Sequence, residues 1–377
     1  MSINTRNGYL IIGDISGYTS YLAQTELDHA QAVLTELLEL IVHRFQPLLK
    51  LVKLEGDAVF AYAPATRVPR GESVLEMLEA TYGAFRGRVD GIVRHTTCEC
   101  NACRAIPKLD LKFLAHFGDY MVQQVSGITE LVGSDVNLVH RLTKNHVYET
   151  HGWRAYALFT QVCLERMGIP PDGMHEQVES YDHLGSVATY CLDLRGRYEE
   201  LKKVRPVMIR PEEADAIIIH EFAAPPPVVW DWLTDPVKRT QYFAGPQWSA
   251  ATRPGGRTGV GAKNHCAHGK DAISVETILD WRPFDYYTTE GQAKAGQESR
   301  MDTLDTVQLE PLAGGRGTRL HHRLKLKNSN FISRLMLKGF ANMMVKKLYN
   351  RADQMIQEEM KDLEAAPVSL ALVDSGD

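Results

Sequence analysis

Two hydrophobic periodicities alternate along the first half of the chain. In "YLIIGDISGYTSYL" an apolar run from Tyr9 to Ile12 ends on Gly13 and Asp14, and Ala30, Val33, Leu34, Leu37, Leu38, Ile41 and Phe45 follow at helical spacing. This predicts a strand that delivers a carboxylate at its end, then a turn and an amphipathic helix. "LLKLVKLEGDAVFAYAP" predicts two strands flanking a tight turn, whose Gly56 permits a hairpin and whose Asp57 faces the same edge as Asp14. "LDLKFLAHFGDYMVQQVSG" predicts a strand from Leu111 to Phe117, a turn at Gly118 and a second strand. In "VGSDVNLVHRLTK", Asp135 lies near a helix start, with Asn137 and Arg141 four apart on one face.

The pattern changes from Asp215. "DAIIIHEFAAPPPVVWDWLTDP" predicts a strand, a proline stop and a short helix bearing Val229, Trp230 and Leu233. About five strand-like segments follow, separated by Gly and Pro turns. A long closing helix then carries Ile332, Met336, Phe340, Met344, Leu348, Met355 or Ile356, and Met360 as one stripe. That stripe reads as core packing or as an adaptable lining for an apolar ligand. His265, Cys266 and His268 do not read as a metal site, because a strand places Cys266 opposite both histidines. No catalytic triad is legible in this half.

Between the halves, "GRYEELKKVRPVMIRPEEA" is charged and holds two prolines, which places a boundary near residue 205. The expected domains are 1–204, 205–366 and a loose tail at 367–377. With 377 residues the chain exceeds one typical core. Its 42 basic and 47 acidic residues are interspersed, so no nucleic-acid surface is expected. No apolar run reaches about 18 residues and the start lacks the features of a secretory signal, so a cytoplasmic protein without a membrane span is expected.

Two carboxylates at strand ends, Asp14 and Asp57, can chelate a hard divalent cation such as Mg²⁺, and an Arg beside them would steady charge on a transferring phosphoryl group. Taken singly, a turn Asp is a turn residue and a helical Asn/Arg pair is a cap or a surface ion pair; their joint occurrence favours chemistry. Cys98, Cys100 and Cys103 cluster in a segment near 95–104, where with His95 they could close a tetrahedral zinc site or simply stay reduced.

These motifs resemble the class III nucleotide cyclases over roughly residues 8 to 190. "DISGYT" from Asp14 is similar to the family's first metal motif, "KLEGD" from Lys53 to its Lys-x-x-Gly-Asp hairpin, and "GSDVNLVHR" to its Gly-(Asn/Asp)-x-Val-Asn-x-x-x-Arg motif. The resemblance implies that Asp14 and Asp57 hold two Mg²⁺ or Mn²⁺ ions, Asn137 positions the ribose and Arg141 steadies the transition state. Lys53 and Glu130 would read the base. Glu130 departs from the family's usual Asp or Thr; this leaves ATP, GTP and pyrimidine nucleotides open, with ATP preferred because a carboxylate accepts from adenine's amino group. The family's active sites are shared across a homodimer. Residues 213 to 364 resemble, by pattern, the START-like, Bet v 1-like helix-grip superfamily, whose final helix caps an apolar cavity.

The implied fold class is α+β, a ferredoxin-like cyclase domain followed by an antiparallel-sheet helix-grip domain. The implied activity is conversion of a nucleoside triphosphate to a 3′,5′-cyclic nucleotide and pyrophosphate, regulated by a hydrophobic small molecule or lipid. The alternatives are a non-catalytic nucleotide-binding or scaffolding protein, and a chain whose second half does the chemistry.

Overall fold

The computed structural model describes residues 5–68, 70–98, 100–126, 128–243, 245, 247–267, 273–295, 299–327 and 331–365. The chain forms two compact units, Met1–Val207 with Arg253–Gly259, and Met208–Thr252 with Val260–Asp377. Both are mixtures of helices and sheet, so the chain is α+β. His268 and the expected tail at 367–377 lie outside the described residues.

The first unit runs β1 (Arg6–Ser16), α1 (Tyr18–Ala23), α2 (Leu27–Phe45), β2 (Lys50–Glu55), β3 (Ala58–Pro64), α3 (Glu72–His95), α4 (Asn101–Ala105), β4 (Asp110–Val125), β5 (Ile128–Val132), α5 (Ser134–Arg141), α6 (Val147–His151), β6 (Tyr156–Thr160), α7 (Gln161–Met167), β7 (His175–Tyr181), β8 (Gly185–Asp193) and α8 (Leu194–Lys203). Its sheet has the order β2-β3-β1-β4-β6-β8-β7, with β5 added to the far end of β4. Strand β1 is buried on both faces from Tyr9 to Ile12, which explains a continuous apolar run in place of alternation. Helix α2 buries Ala30, Leu34, Leu37, Ile41 and Phe45, one helical stripe.

One expectation fails here. Strand β4 continues through Gly118 without turning. That glycine is needed for a close approach: a Cβ there would lie 2.4 Å from the Asp135 carboxylate, which accepts the Asp119 N–H at 2.6 Å and pins the start of α5 to β4. The charged stretch from residue 196 begins within helix α8, which ends at Lys203. Leu194 is buried, and Arg195 bonds to the Tyr82 hydroxyl at 3.0 Å and pairs with Asp110. A polar helix can belong to a core unit when its few contacts are this specific.

The second unit runs β9 (Ala216–Phe222), α9 (Pro226–Thr234), α10 (Pro236–Phe243), β10 (Gln247–Thr252), β11 (Lys263–Ala267), β12 (Ile273–Arg282), β13 (Tyr286–Ala295), β14 (Ser299–Pro311), β15 (Thr318–Leu326), α11 (Phe331–Phe340) and α12 (Lys346–Ala365). Its strands pair antiparallel in the order β10-β11-β12-β13-β14-β15-β9. Trp230 of α9 is fully buried, with Trp281 and Tyr287 packed edge-on against it. As alternation requires, Cys266 is buried and His265 exposed.

The closing helix is not one stripe. A π-helical turn, Ala341–Val345, separates α11 from α12. Its extra residue rotates the apolar face, so Ile332 and Met336 are 66% and 70% exposed, while Ala341, Tyr349, Ala352 and Ile356 form the buried seam. The side chain of Phe340 lies outside the described residues.

Candidate functional site

Two clefts on the first unit collect the residues singled out in the sequence. The first, of about 480 Å³, is lined by Asp14, Asp57, the segment Ser16–Ser20, Lys112, Arg154 and Tyr156 among others. Asp14 stands opposite Ala58 in the β1–β3 ladder, and Ile15 donates its N–H to the Asp57 carbonyl at 3.1 Å, so the hairpin sets Asp57 beside Asp14. Gly56 makes this turn with φ of +67°. Burial raises the pKa of the Asp57 carboxyl, and the Asp14 charge raises it further. Two crowded hard oxygen donors of this kind fit a divalent cation such as Mg²⁺. Lys112, opposite Asp14 on β4, places its Nζ 3.3 Å from Asp14 Oδ2. It escaped the sequence reading, although a lone lysine inside the apolar run of β4 was the available signal.

The second cleft, also about 480 Å³, is lined by Lys53, Glu55, Asn137, His140, Arg141 and the β7–β8 turn residues Asp182, His183 and Leu184. Helix α5 buries Val136, Leu138 and Val139 and leaves Asn137 and Arg141 exposed. The polar pair therefore faces the cleft side while the apolar residues hold the helix down. Lys53 Nζ lies 2.9 Å from Glu55 and 3.9 Å from Glu130, which β5 brings alongside. His140 packs its ring edge-on to Phe60 and reaches Glu55 at 3.2 Å; burial lowers its pKa. Turn residue His183 has φ of +68°, a conformation a non-glycine residue adopts at a cost of about 1 kcal/mol or more. Asp182 and His183 were not anticipated. The two clefts share no lining residue.

The cysteines come together, but not around His95. Among the described residues, His29, Cys98, Cys100 and Cys103 bring one donor atom each to within 4.8 Å of the others. His95 is the exposed last residue of α3 and stays outside this group. The three cysteines follow the end of α3, and the first turn of α2 supplies His29.

In the second unit a cavity of about 600 Å³ is lined by Leu233, Phe243, Trp248, Tyr287, Val307, Met344, Leu348 and several polar side chains. Met344 and Leu348 of the expected stripe do face it. Arg239 forms a two-pronged pair with Glu276 at 2.7 and 3.0 Å and lies 3.5 Å from the Trp248 ring centre. Burial alone would raise the Glu276 pKa, but Arg239 and the Asn264 amide hold it below the ordinary value. Arg239→Ala should therefore leave an uncompensated buried carboxylate and cost about 3–5 kcal/mol in denaturant unfolding, most of it recovered in Arg239→Met/Glu276→Leu. Tyr349 Oη also meets His322 Nδ1 at 2.7 Å, with His322 Nε2 3.2 Å from Asp305. This Asp–His–Tyr line was not legible, since its members are widely spaced in sequence.

The fold and clefts thus define an α+β protein of two units with a carboxylate-bearing cleft, a second cleft of mixed charge holding Lys53 and Arg141, and a largely apolar cavity. The chain is 31% identical over 168 residues, 43% of its length and 73% of the relative's, to "Uncharacterized protein Rv2561/Rv2562" of Mycobacterium tuberculosis (strain ATCC 25618 / H37Rv), and it belongs to that protein's family. The family described as "Protein of unknown function (DUF2652)" matches residues 34–151. Solved structures similar to it include a bacterial light-regulated adenylyl cyclase, with 12% identity and a TM-score of 0.38 over 49% of this chain. The chain spans about half of that protein's length, 51%. The adenylyl cyclase CyaB from P. aeruginosa matches with 15% identity and a TM-score of 0.37, over 50% of this chain and 95% of that one. DynU16, a putative protein in the dynemicin biosynthetic locus, matches with 18% identity and a TM-score of 0.28, over 40% and 47%. Among the described residues no helix is long and apolar enough to cross a membrane.

Proposed function

We propose that the first unit is a nucleotide cyclase, converting a nucleoside triphosphate, ATP by preference, to its 3′,5′-cyclic nucleotide and pyrophosphate. The observation that carries this reading is the sorting of the motif residues. Asp14 and Asp57 line one cleft, and Lys53, Asn137 and Arg141 line another on the same unit, which is how an active site completed by a second copy would be divided. The proposed assembly is a homodimer with two such sites.

In this reading the ribose 3′-hydroxyl loses its proton to water, its oxygen attacks the α-phosphorus, and the bond from that phosphorus to the oxygen bridging to the β-phosphate breaks, releasing pyrophosphate. Mg²⁺ or Mn²⁺ held by Asp14 and Asp57 would make the 3′-hydroxyl more acidic and offset triphosphate charge. Arg141 steadies negative charge on the phosphate oxygens, and Asn137 holds the ribose so that the attack is in line. Lys53 of β2 and Glu130 of β5, whose side chains approach to 3.9 Å, contact the base, with the Glu130 carboxylate accepting from an exocyclic amino group.

The second unit, in the same proposal, is a START-like helix-grip module whose cavity takes a hydrophobic molecule and biases the cyclase. Such a ligand acts only through different affinities for active and inactive arrangements. The test is incubation of the full chain with each of four nucleoside triphosphates and Mn²⁺, with and without a long-chain fatty acid, and mass detection of products. A cyclic product, most abundant with ATP and changed in yield by the fatty acid, is expected. No cyclic product under any condition would overturn the enzyme and favour a non-catalytic nucleotide-binding or scaffolding protein. A yield indifferent to the fatty acid would remove regulation by that ligand class.

A further inference from the structure

The cysteine-rich connection between α3 and β4 meets helix α2 at a cluster that shares no residue with either cleft. Cys98 and Cys100 lie 69 and 71 positions from His29 in sequence, so the fold itself assembles the group. His29 Nδ1 sits 3.3 Å from Cys100 Sγ and 3.9 Å from Cys98 Sγ. A tetrahedral zinc ion with Zn–N near 2.0 Å and Zn–S near 2.3 Å would separate nitrogen from sulfur by about 3.5 Å and sulfurs by about 3.8 Å. The two observed N···S distances bracket the first value. The 4.8 Å limit on all pairs leaves each donor within roughly an ångström of its place.

The local backbone brings Cys103 back to Cys100. After Cys100 the chain turns directly into α4, where Arg104 donates its N–H to the Cys100 carbonyl, so Cys103 returns beside Cys100. The Cys103 N–H also donates to Cys100 Sγ at 3.4 Å, an outer contact of the kind that orients and steadies a thiolate ligand. Three sulfurs and an imidazole select zinc over the hard cations, and four protein donors leave no open position, which marks a structural site. The same two segments are already docked: the Glu26 carboxylate, three residues before His29, accepts the Asn101 and Ala102 N–H groups at 3.4 and 3.1 Å.

We propose that His29, Cys98, Cys100 and Cys103 bind one zinc ion in a closed site that fastens α2 to the α3–β4 connection. Helix α2 follows the Asp14–Thr19 segment through α1, so the ion would brace the chain that leaves the first cleft. The site does not depend on the proposed reaction, and its test needs no turnover.

Full-length protein purified without chelator should contain about one zinc per chain by elemental analysis. His29→Ala and Cys98→Ser should each lose it and melt at lower temperature, whereas His95→Ala should keep it. Cobalt added to zinc-stripped wild-type protein should give the visible bands of tetrahedral sulfur ligation, a readout that stands even if a variant fails to fold. Wild-type protein that holds neither zinc nor cobalt, that contains stoichiometric iron instead, or a His29→Ala variant with full zinc content and unchanged cobalt bands would each overturn the assignment.

Discussion

Asp57→Asn should reduce cyclic-nucleotide production by at least about a hundredfold, equivalent to roughly 2.7 kcal/mol of transition-state stabilisation, while leaving the fold intact. The backbone contact that places this residue, the Asp57 carbonyl accepting the Ile15 N–H, does not involve the side chain. The turn itself is made by Gly56. What changes is charge. Asp57 carries a carboxylate whose pKa burial and Asp14 both raise, so the ionised form is disfavoured until a cation arrives. An amide removes that penalty in the cation-free protein and also removes half of the anionic donor set. The variant should therefore melt at the same temperature as wild type or slightly higher, the usual signature of a residue kept for function at some expense of stability. Manganese titration of the rate, together with a thermal melt, checks both parts. Wild-type turnover in Asp57→Asn would show that divalent ions are not held at this hairpin, and a collapsed melt would show that the carboxylate is structural.

How much of this was readable in the sequence depended on whether the determining contact was local. The β2–β3 hairpin was legible because Gly56 and Asp57 sit between two apolar runs, and the exposed face of α5 because Asn137 and Arg141 are one helical turn apart. Gly118 was misread as a turn because its reason lies 17 residues on, in the Asp135 carboxylate that leaves no room for a Cβ. The cysteines were visible as a cluster, yet their histidine was sought nearby in His95 when the fold supplies His29 from α2. Lys112 became significant only through the β1–β4 register that sets it opposite Asp14. The methionine stripe failed for a different reason. Constant helical spacing assumes an unbroken helix, and the π-helical turn at Ala341–Val345 changes the phase halfway along.

Mixing Asp57→Ala chains with Arg141→Ala chains should restore about a quarter of wild-type activity from two inactive parents. The expectation follows from where the residues lie. Asp57 lines one cleft and Arg141 another, with no lining residue in common, so a two-fold dimer that faces the first cleft of one copy towards the second cleft of its partner builds two equivalent sites. Each parent homodimer then carries its defect in both sites. A mixed dimer gathers both defects into one site and leaves the other whole. With random exchange about half the dimers are mixed and half of their sites work, which gives the quarter. Neither substitution should disturb the fold: Arg141 is exposed at the end of α5, and the contact that ties Asp57 to β1 is made by its backbone carbonyl. Recovery should scale with the product of the two chain fractions and peak at equal mixing. If each chain held a self-contained site, no ratio would recover activity. A mixture shown by native mass spectrometry to have exchanged subunits, yet as inactive as its parents, would overturn the shared site and with it the division of roles between the two clefts.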